Sequence, residues 1–370
     1  MYKNETLPQL RIGNLTAEIP VIQGGMGVGI SLSGLASAVA NEGGIGVIAA
    51  VGIAMLDTDK KGSARQRNIT RLKEEIRKAR ALSDGIIGVN IMVALTDFEN
   101  LLVASFDEEA DIVFLGAGLP MRVPQILTPE RLKEGKTKVA VIVSSGRAVS
   151  IILRAWSKYG CLPDAIVVEG PKAGGHLGFK KEQIEDENYE LEKLVPDVVS
   201  AVRVYEEKFG KNIPVIAAGG IYTGSDIRKF LDMGASGVQM ATRFITTHEC
   251  DADIKFKEAF LDAEEGDVTI IESPVGLPGR AIKNQFLEEV EAGEKKPFKC
   301  PWKCLVSCDY RTAPYCIAMA LVNAQKGKLR DGFVFAGHNA YRNKEIVSVH
   351  QVIESLKEEF ARSVPRLQYA

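Results

Sequence analysis

The sequence has no apolar run long enough to cross a membrane. Its longest apolar stretch, residues 45–56, is interrupted by glycine and is shorter than the roughly 20 residues that span a bilayer. The N-terminus also lacks the basic region and apolar core of an export signal. We therefore expect a cytoplasmic protein with no membrane partner.

Excess positive charge, cysteine and histidine are also scarce. The 46 basic and 48 acidic side chains give a net charge of -2, so the basic excess of a nucleic-acid-binding protein is absent. Six cysteines are too few for a disulfide framework in 370 residues, although four lie between residues 300 and 316. Of the four histidines, only His176 follows two glycines just after an apolar run.

Eight apolar runs rich in β-branched residues alternate with helical patterns. Nearly continuous apolar strands are typical of a parallel sheet covered on both faces. Eight strand–helix units favour an α/β fold with a closed (β/α)8 TIM barrel over an open doubly wound sheet. The predicted strands are residues 19–26, 43–50, 86–92, 111–118, 138–145, 165–170, 214–221 and 237–244.

Two segments interrupt this alternation, and we expect both to lie over the barrel mouth. One is an inserted loop after strand 6, from Pro171 to about Pro196, and the other follows the eighth unit. We predict a barrel core over residues 1–271, a lid-like, cysteine-containing C-terminal extension over 272–345, and a terminal helix over 346–370 that packs on the barrel. Helices are also predicted at 65–82 and 223–235.

Glycines are concentrated at the predicted strand ends, where the active site of such a barrel forms. Without side chains, they let a planar cofactor lie against the backbone, although tight turns are the structural alternative. Strands 7 and 8 usually bind phosphate in these barrels. The loop after strand 6 has no cysteine, which argues against the thiol-dependent nucleotide oxidoreductases that share this phosphate site. The glycines are Gly24, Gly25, Gly116, Gly118, Gly174, Gly175, Gly219 and Gly220.

Four polar residues are candidates at the same edge. The amides of Asn90 and Gln23 suit the pyrimidine edge of a flavin, unless neighbouring backbone satisfies them. His176 is placed to move a proton or to stabilise an anion, although a histidine in a loop is often merely solvated. Glu169 is either a contact of a ribityl chain or an acid that acts through another residue.

Five motifs, in order, resemble the FMN-dependent nitronate monooxygenases, formerly 2-nitropropane dioxygenases, and the related flavin-containing enoyl-ACP reductases. They are IQGGMG, GVNIM, EGPKAGGHLG, AAGGI and GVQMATRF, and the resemblance covers about residues 8 to 290. It implies a barrel that holds FMN, with His176 as the active-site histidine. The implied cofactor contacts include Gly24, Gly25, Met26, Asn90, Gly174, Gly175, Gly219, Gly220, Gln239, Met240, Ala241 and Thr242.

The resemblance implies that nitronates or nitroalkanes react with O2 to give a carbonyl compound and nitrite, with His176 as a base or anion stabiliser. The alternative is an NAD(P)H-dependent enoyl thioester reductase, and a third hypothesis is a flavin module whose cysteines relay electrons. Many relatives have an acidic residue where this chain has Lys172, which leaves the substrate open. A homodimer is compatible with this interpretation.

The segment CPWKCLVSCDYRTAPYC, residues 300–316, departs from the shorter relatives. If Pro301 opens a helix, Cys304 and Cys308 lie one turn apart with Cys300 at the cap. A metal or iron–sulfur cluster held by these thiolates and Cys316 is then one hypothesis. Buried or cavity-lining thiols are the alternative.

Overall fold

Eight parallel strands form a closed barrel, which confirms the predicted (β/α)8 fold. The computed structural model describes residues 6–57, 61–300 and 302–363. Consecutive barrel strands pair with one another, and the eighth pairs with the first. Each of the eight barrel strands lies within its predicted run. The strands are Val21–Gln23 (β1), Ile45–Ala49 (β2), Ile86–Met92 (β3), Ile112–Gly116 (β4), Lys138–Val143 (β5), Ala165–Glu169 (β6), Val215–Ala218 (β7) and Gly237–Met240 (β8).

Helices connect the strands and cover the outside of the barrel. The helices predicted at 65–82 and 223–235 correspond to α2 and α8, whereas α7 begins five residues before the expected loop end at Pro196. In the described ranges, no helix is both long and apolar enough to cross a bilayer. The helices are Ser33–Asn41 (α1), Ala64–Leu82 (α2), Phe98–Asp107 (α3), Val123–Ile126 (α4), Pro129–Glu134 (α5), Gly146–Ser157 (α6), Leu191–Phe209 (α7), Gly224–Asp232 (α8), Thr242–Ile245 (α9), Ile254–Leu261 (α10), Gln285–Glu291 (α11), Ile317–Gln325 (α12) and Val349–Arg362 (α13).

The barrel interior is a packed apolar core that an N-terminal hairpin closes at one end. The hairpin strands Leu10–Ile12 and Leu15–Ala17 pair antiparallel. Leu10 and Ile12 pack in one cluster with inward-facing side chains such as Phe114. Because this end is filled, a ligand has to enter from the opposite mouth.

A small antiparallel sheet from the C-terminal part of the chain lies over that mouth. Its central strand, Pro278–Ile282, pairs with Val268–Glu272 and with Val334–Phe335. The central strand also pairs with the two-residue strand Gly175–His176, in the loop after β6. The sheet therefore fixes the backbone that carries His176.

The C-terminal helix α13 packs against α8 and α1. The guanidinium of Arg228 in α8 donates a hydrogen bond of 2.9 Å to the carbonyl of Phe360. Gly224 allows the two helices to approach closely, because a Cβ there would lie 2.3 Å from the carbonyl oxygen of Leu356. The division at residues 271 and 345 remains a prediction.

Gly46 gives a test of how closely helix and barrel pack. A Cβ added at Gly46, in β2, would lie 1.8 Å from the carbonyl oxygen of Ala36 in α1. Gly46→Ala should lower the free energy of unfolding by about 2–3 kcal/mol, because backbone has to move. Gly266→Ala, with nothing within 4 Å of the new Cβ, should change it by less than about 0.5 kcal/mol. Urea unfolding measures both, and equal midpoints for the two variants would contradict the packing argument.

Candidate active site

Two adjoining cavities, of about 190 and 210 Å³, open at the carboxyl ends of the barrel strands. They share wall residues, among them Gly25, Glu169 and Gln239. One cavity extends towards the ends of β7 and β8, and the other extends towards Asn90 and His176. Together they form one elongated site.

Missing side chains create the floor of this site. A Cβ at Gly25 would lie 2.3 Å from the Cβ of Asn90, and one at Gly174 would lie 2.7 Å from the backbone of Ala336. Gly219 and Gly220 have φ angles of +95° and +83°, which favour glycine strongly. This floor can hold a flat group close to backbone atoms.

The structure brings the residues predicted to bind the cofactor or to react to the cavity walls, with one exception. Gln23 is the exception: its amide donates to the carbonyl of Gly24 and accepts 3.0 Å from the N–H of Val47. Backbone groups thus satisfy this buried amide, which joins β1 to β2. The residues that line the cavities are Gly24, Gly25, Met26, Asn90, Glu169, Gly174, Gly175, His176, Gly219, Gly220, Gln239, Met240, Ala241 and Thr242. Of the other strand-end glycines, Gly116 lines the second cavity, whereas Gly118 lines neither.

Asn90 differs from Gln23 because its side chain remains available. Within the described parts of the chain, its amide makes no hydrogen bond, and it lines the cavity beside Gly25. An amide presents a donor and an acceptor together. It can therefore pair with a heterocycle edge that carries the complementary groups.

His176 lies on the wall of the second cavity and is held from two sides. Its Nε2 lies 2.8 Å from the Oγ of Ser273, and its ring lies edge-on to Phe335 with centroids 5.0 Å apart. Burial lowers the pKa of His176 to about 4, because desolvation disfavours the charged ring. The ring is therefore neutral near pH 7.

Glu169, at the end of β6, lines both cavities. Burial raises the pKa of its carboxyl to about 7, because desolvation disfavours the carboxylate. The site thus holds an acid and an imidazole that are both mainly uncharged between about pH 4 and pH 7.

Residues 335–339 form a wall of the first cavity that the sequence-based prediction missed. His338, which no sequence motif singled out, lines this cavity. The backbone N–H of His338 donates a hydrogen bond of 3.1 Å to the carbonyl of Lys172. The side-chain amide of Asn339 donates one of 2.7 Å to the carbonyl of Gly220. The only local signal was the Gly-His-Asn sequence in this segment, far along the chain from the motifs that it contacts.

Lys172 lies at the rim of the first cavity. Its Nζ is 3.5 Å from a carboxylate oxygen of Glu190, and both side chains are more than 40% exposed. An exposed pair of this kind contributes little to stability. The ammonium can still attract an anion that enters the cavity.

The cysteine segment does not form the expected helix. Pro301 lies outside the described residues, and residues 302–316 contain no helix. Instead, Leu305 pairs with Leu95, and the N–H of Thr96 donates 3.1 Å to the carbonyl of Cys304. This extended pairing takes up backbone groups that a helix would need.

The four cysteines of this segment line a third cavity. The described residues contain no group of three or more histidine, cysteine, aspartate or glutamate side chains that could hold a metal ion. The metal hypothesis is therefore not supported. Burial raises the pKa of the Cys304 thiol to about 12, and this thiol lines both the third cavity and the cavity of His176.

Comparisons with known proteins agree with this architecture. The family model for nitronate monooxygenase matches residues 9–359, beyond the resemblance seen at about 8 to 290. A probable nitronate monooxygenase of Staphylococcus aureus (strain JH9) is 28% identical over 326 residues, 80% of this chain and 82% of that protein. The structure of FabK from Thermotoga maritima aligns with a TM-score of 0.72 and 29% identity over 94% of each chain.

A more distant solved structure supports the fold alone. The nitroalkane oxidase of Streptomyces ansochromogenes has a TM-score of 0.71 at 23% identity, over 94% of this chain and 97% of that one.

The barrel, its glycine-floored mouth and these matches define a flavin oxidoreductase. With a family match over nearly the whole chain, this protein belongs to the nitronate monooxygenase family.

The pKa of Glu169 leads to a test on the protein without cofactor. Between about pH 4.5 and 7 the unfolded chain loses this proton while the folded chain retains it. Stability is therefore lost as pH rises through this window, and the loss is complete above pH 7. Glu169→Gln removes this titration. From pH 5 to pH 8, the free energy of unfolding of the variant should therefore rise by about 1–3 kcal/mol relative to that of the native chain. Urea unfolding at both pH values measures this gain, and a constant difference between the two proteins would contradict the assignment.

Proposed function

We propose that the chain binds FMN and uses it to oxidise nitronates with O2 to carbonyl compounds and nitrite. The observation that carries this proposal is a neutral, partly buried His176 beside a glycine-floored cavity, in a chain of the nitronate monooxygenase family. Bound FMN would supply the electron transfer that no amino-acid side chain provides.

The residues at the site fit the parts of this cofactor. The floor at Gly25 and Gly174 leaves room for a flat ring system. The amide of Asn90, which has no partner among the described residues, suits its pyrimidine edge. The positive φ angles of Gly219 and Gly220 are compatible with backbone close to an anionic phosphate. Glu169 stands between the two cavities, where its carboxyl can bond to the ribityl hydroxyls.

On the substrate side, the cavity offers an imidazole and an apolar wall. Leu305, Ile317 and Leu321 line the cavity of His176. They suit the carbon chain of a small nitronate, while the histidine meets the nitro oxygens. At a pKa of about 4, the ring is a weak base, which favours anion stabilisation over proton removal.

An oxygen-uptake assay tests the activity. With a nitronate, the flavin-loaded protein should consume O2 and release nitrite, and His176→Ala should retain flavin but lose about 10²-fold in turnover. In the control experiment, the same protein is incubated with NADH or NADPH and an enoyl thioester, and oxidation of the nucleotide is measured. Nucleotide oxidation that depends on the thioester, with no nitrite from nitronate, would favour the enoyl reductase instead.

Gly25→Ala tests the cofactor site independently of turnover. The added methyl group would displace Asn90, so we expect FMN affinity to fall about 10-fold or more, the scale of one or two lost hydrogen bonds. Flavin fluorescence titration of the apoprotein measures the Kd, with Gly266→Ala as the matched control. Unchanged affinity in Gly25→Ala would place the cofactor elsewhere.

A further inference from the structure

The hydrogen bond between Ser273 and His176 determines more than the position of the ring. Ser273 is buried, with 7% of its surface exposed, and its Oγ lies 2.8 Å from Nε2 of His176. The same Oγ accepts a hydrogen bond from the N–H of Val275 at 3.4 Å. Among the described residues, Nε2 is the only acceptor for the hydroxyl hydrogen.

These contacts select one tautomer of the imidazole. If Nε2 carried the proton, the buried hydroxyl would have no acceptor for its own hydrogen, which costs free energy. If Nε2 accepts from Ser273 instead, both groups are satisfied and the ring proton lies on Nδ1. The tautomer with the proton on Nδ1 is therefore favoured.

We propose that Ser273 is a positioning residue that keeps His176 in the Nδ1–H tautomer, so that the ring donates this hydrogen to the anionic oxygens of the substrate. The identity of the anion rests on the proposed function, whereas the tautomer does not. With Nε2 engaged by Ser273 and Nδ1 already protonated, the ring has no free lone pair to accept a proton. The substrate class is then the preformed nitronate and not the neutral nitroalkane.

Surrounding contacts hold both partners in place. The backbone of His176 pairs with Gly279, and the N–H of Leu177 donates 2.9 Å to the carbonyl of Pro278. Two hydrogen bonds close the turn that carries Ser273. The N–H of Ser273 donates to the carbonyl of Leu277, and the N–H of Gly276 donates to the carbonyl of Ser273. Ring and hydroxyl are thus fixed by the same piece of sheet.

A spectroscopic measurement tests the tautomer without any turnover. In flavin-loaded protein labelled with ¹⁵N-histidine, long-range ¹H–¹⁵N correlation spectra distinguish Nδ1–H from Nε2–H rings. The signal lost in His176→Asn identifies this residue among the four histidines. We expect an Nδ1–H pattern that becomes mixed or reversed in Ser273→Ala and persists in Ser273→Thr. An Nε2–H pattern in the native chain would overturn the proposal.

Kinetics with a nitronate test the consequence. Ser273→Ala should lower kcat/KM about 10- to 100-fold, the scale of one hydrogen bond to a charged group, and Ser273→Thr should retain most of it. The amide nitrogen of asparagine lies near the position of Nδ1, and that of glutamine lies near Nε2. The kcat/KM of His176→Asn should therefore be about tenfold higher than that of His176→Gln.

The kinetic and spectroscopic outcomes can be separated. The opposite order of the Asn and Gln variants, or neutral nitroalkane used as efficiently as nitronate, would overturn the proposal. If the native protein does not turn over nitronate, the proposed function fails, while the spectrum still decides whether Ser273 fixes the tautomer. Flavin absorbance of each variant verifies that the site is intact.

Discussion

The site depends on one buried guanidinium, that of Arg280. Its side chain is only 7% exposed and donates hydrogen bonds to the carbonyls of Pro171 and Ala173, at 2.8 and 3.2 Å. Burial lowers the pKa of this group, so the two carbonyls offset a real desolvation cost. Because Arg280 also pairs through its backbone with Gly175, one residue fixes the loop after β6 both before the two glycines and at the second of them.

This arrangement explains why His176 can be neutral and still well oriented. Within the described residues, no carboxylate pairs with the imidazole; a serine and an aromatic ring from the C-terminal sheet hold it instead. Removing the ring from water favours the uncharged form, and the same burial keeps Glu169 mainly protonated below about pH 7. An anionic ligand therefore meets hydrogen-bonding groups without meeting a fixed negative charge, until Glu169 ionises.

The barrel could be predicted from the sequence because its strands are continuous apolar runs with regular spacing. The floor was also predictable, since glycines at strand ends have a direct structural meaning. Gln23 shows the limit of this reasoning, because two amides at strand ends look alike in sequence. Backbone groups satisfy the Gln23 amide, whereas the Asn90 side chain has no hydrogen-bond partner among the described residues. His338 and Ser273 could not be placed, because their roles arise from pairing between segments about 100 or more residues apart. The prediction of a helix in the cysteine segment was wrong for a similar reason, because the backbone of this segment pairs with the loop after β3.

The barrel and the C-terminal extension supply different parts of the site, and this affects which substrates fit. The barrel supplies the glycine floor and the ends of β7 and β8, where the proposed FMN would place its phosphate. Part of the wall of the His176 cavity comes from outside the barrel: Cys304, Leu305, Ile317 and Leu321 all belong to the C-terminal segment. Their side chains are mainly apolar, and the Cys304 thiol is uncharged at neutral pH because burial raises its pKa. The extension can therefore reject charged or strongly polar groups beyond the reacting atoms, while Ser273, from the same part of the chain, orients the hydrogen bond to the anionic end. A change in this segment would therefore affect selectivity and orientation together.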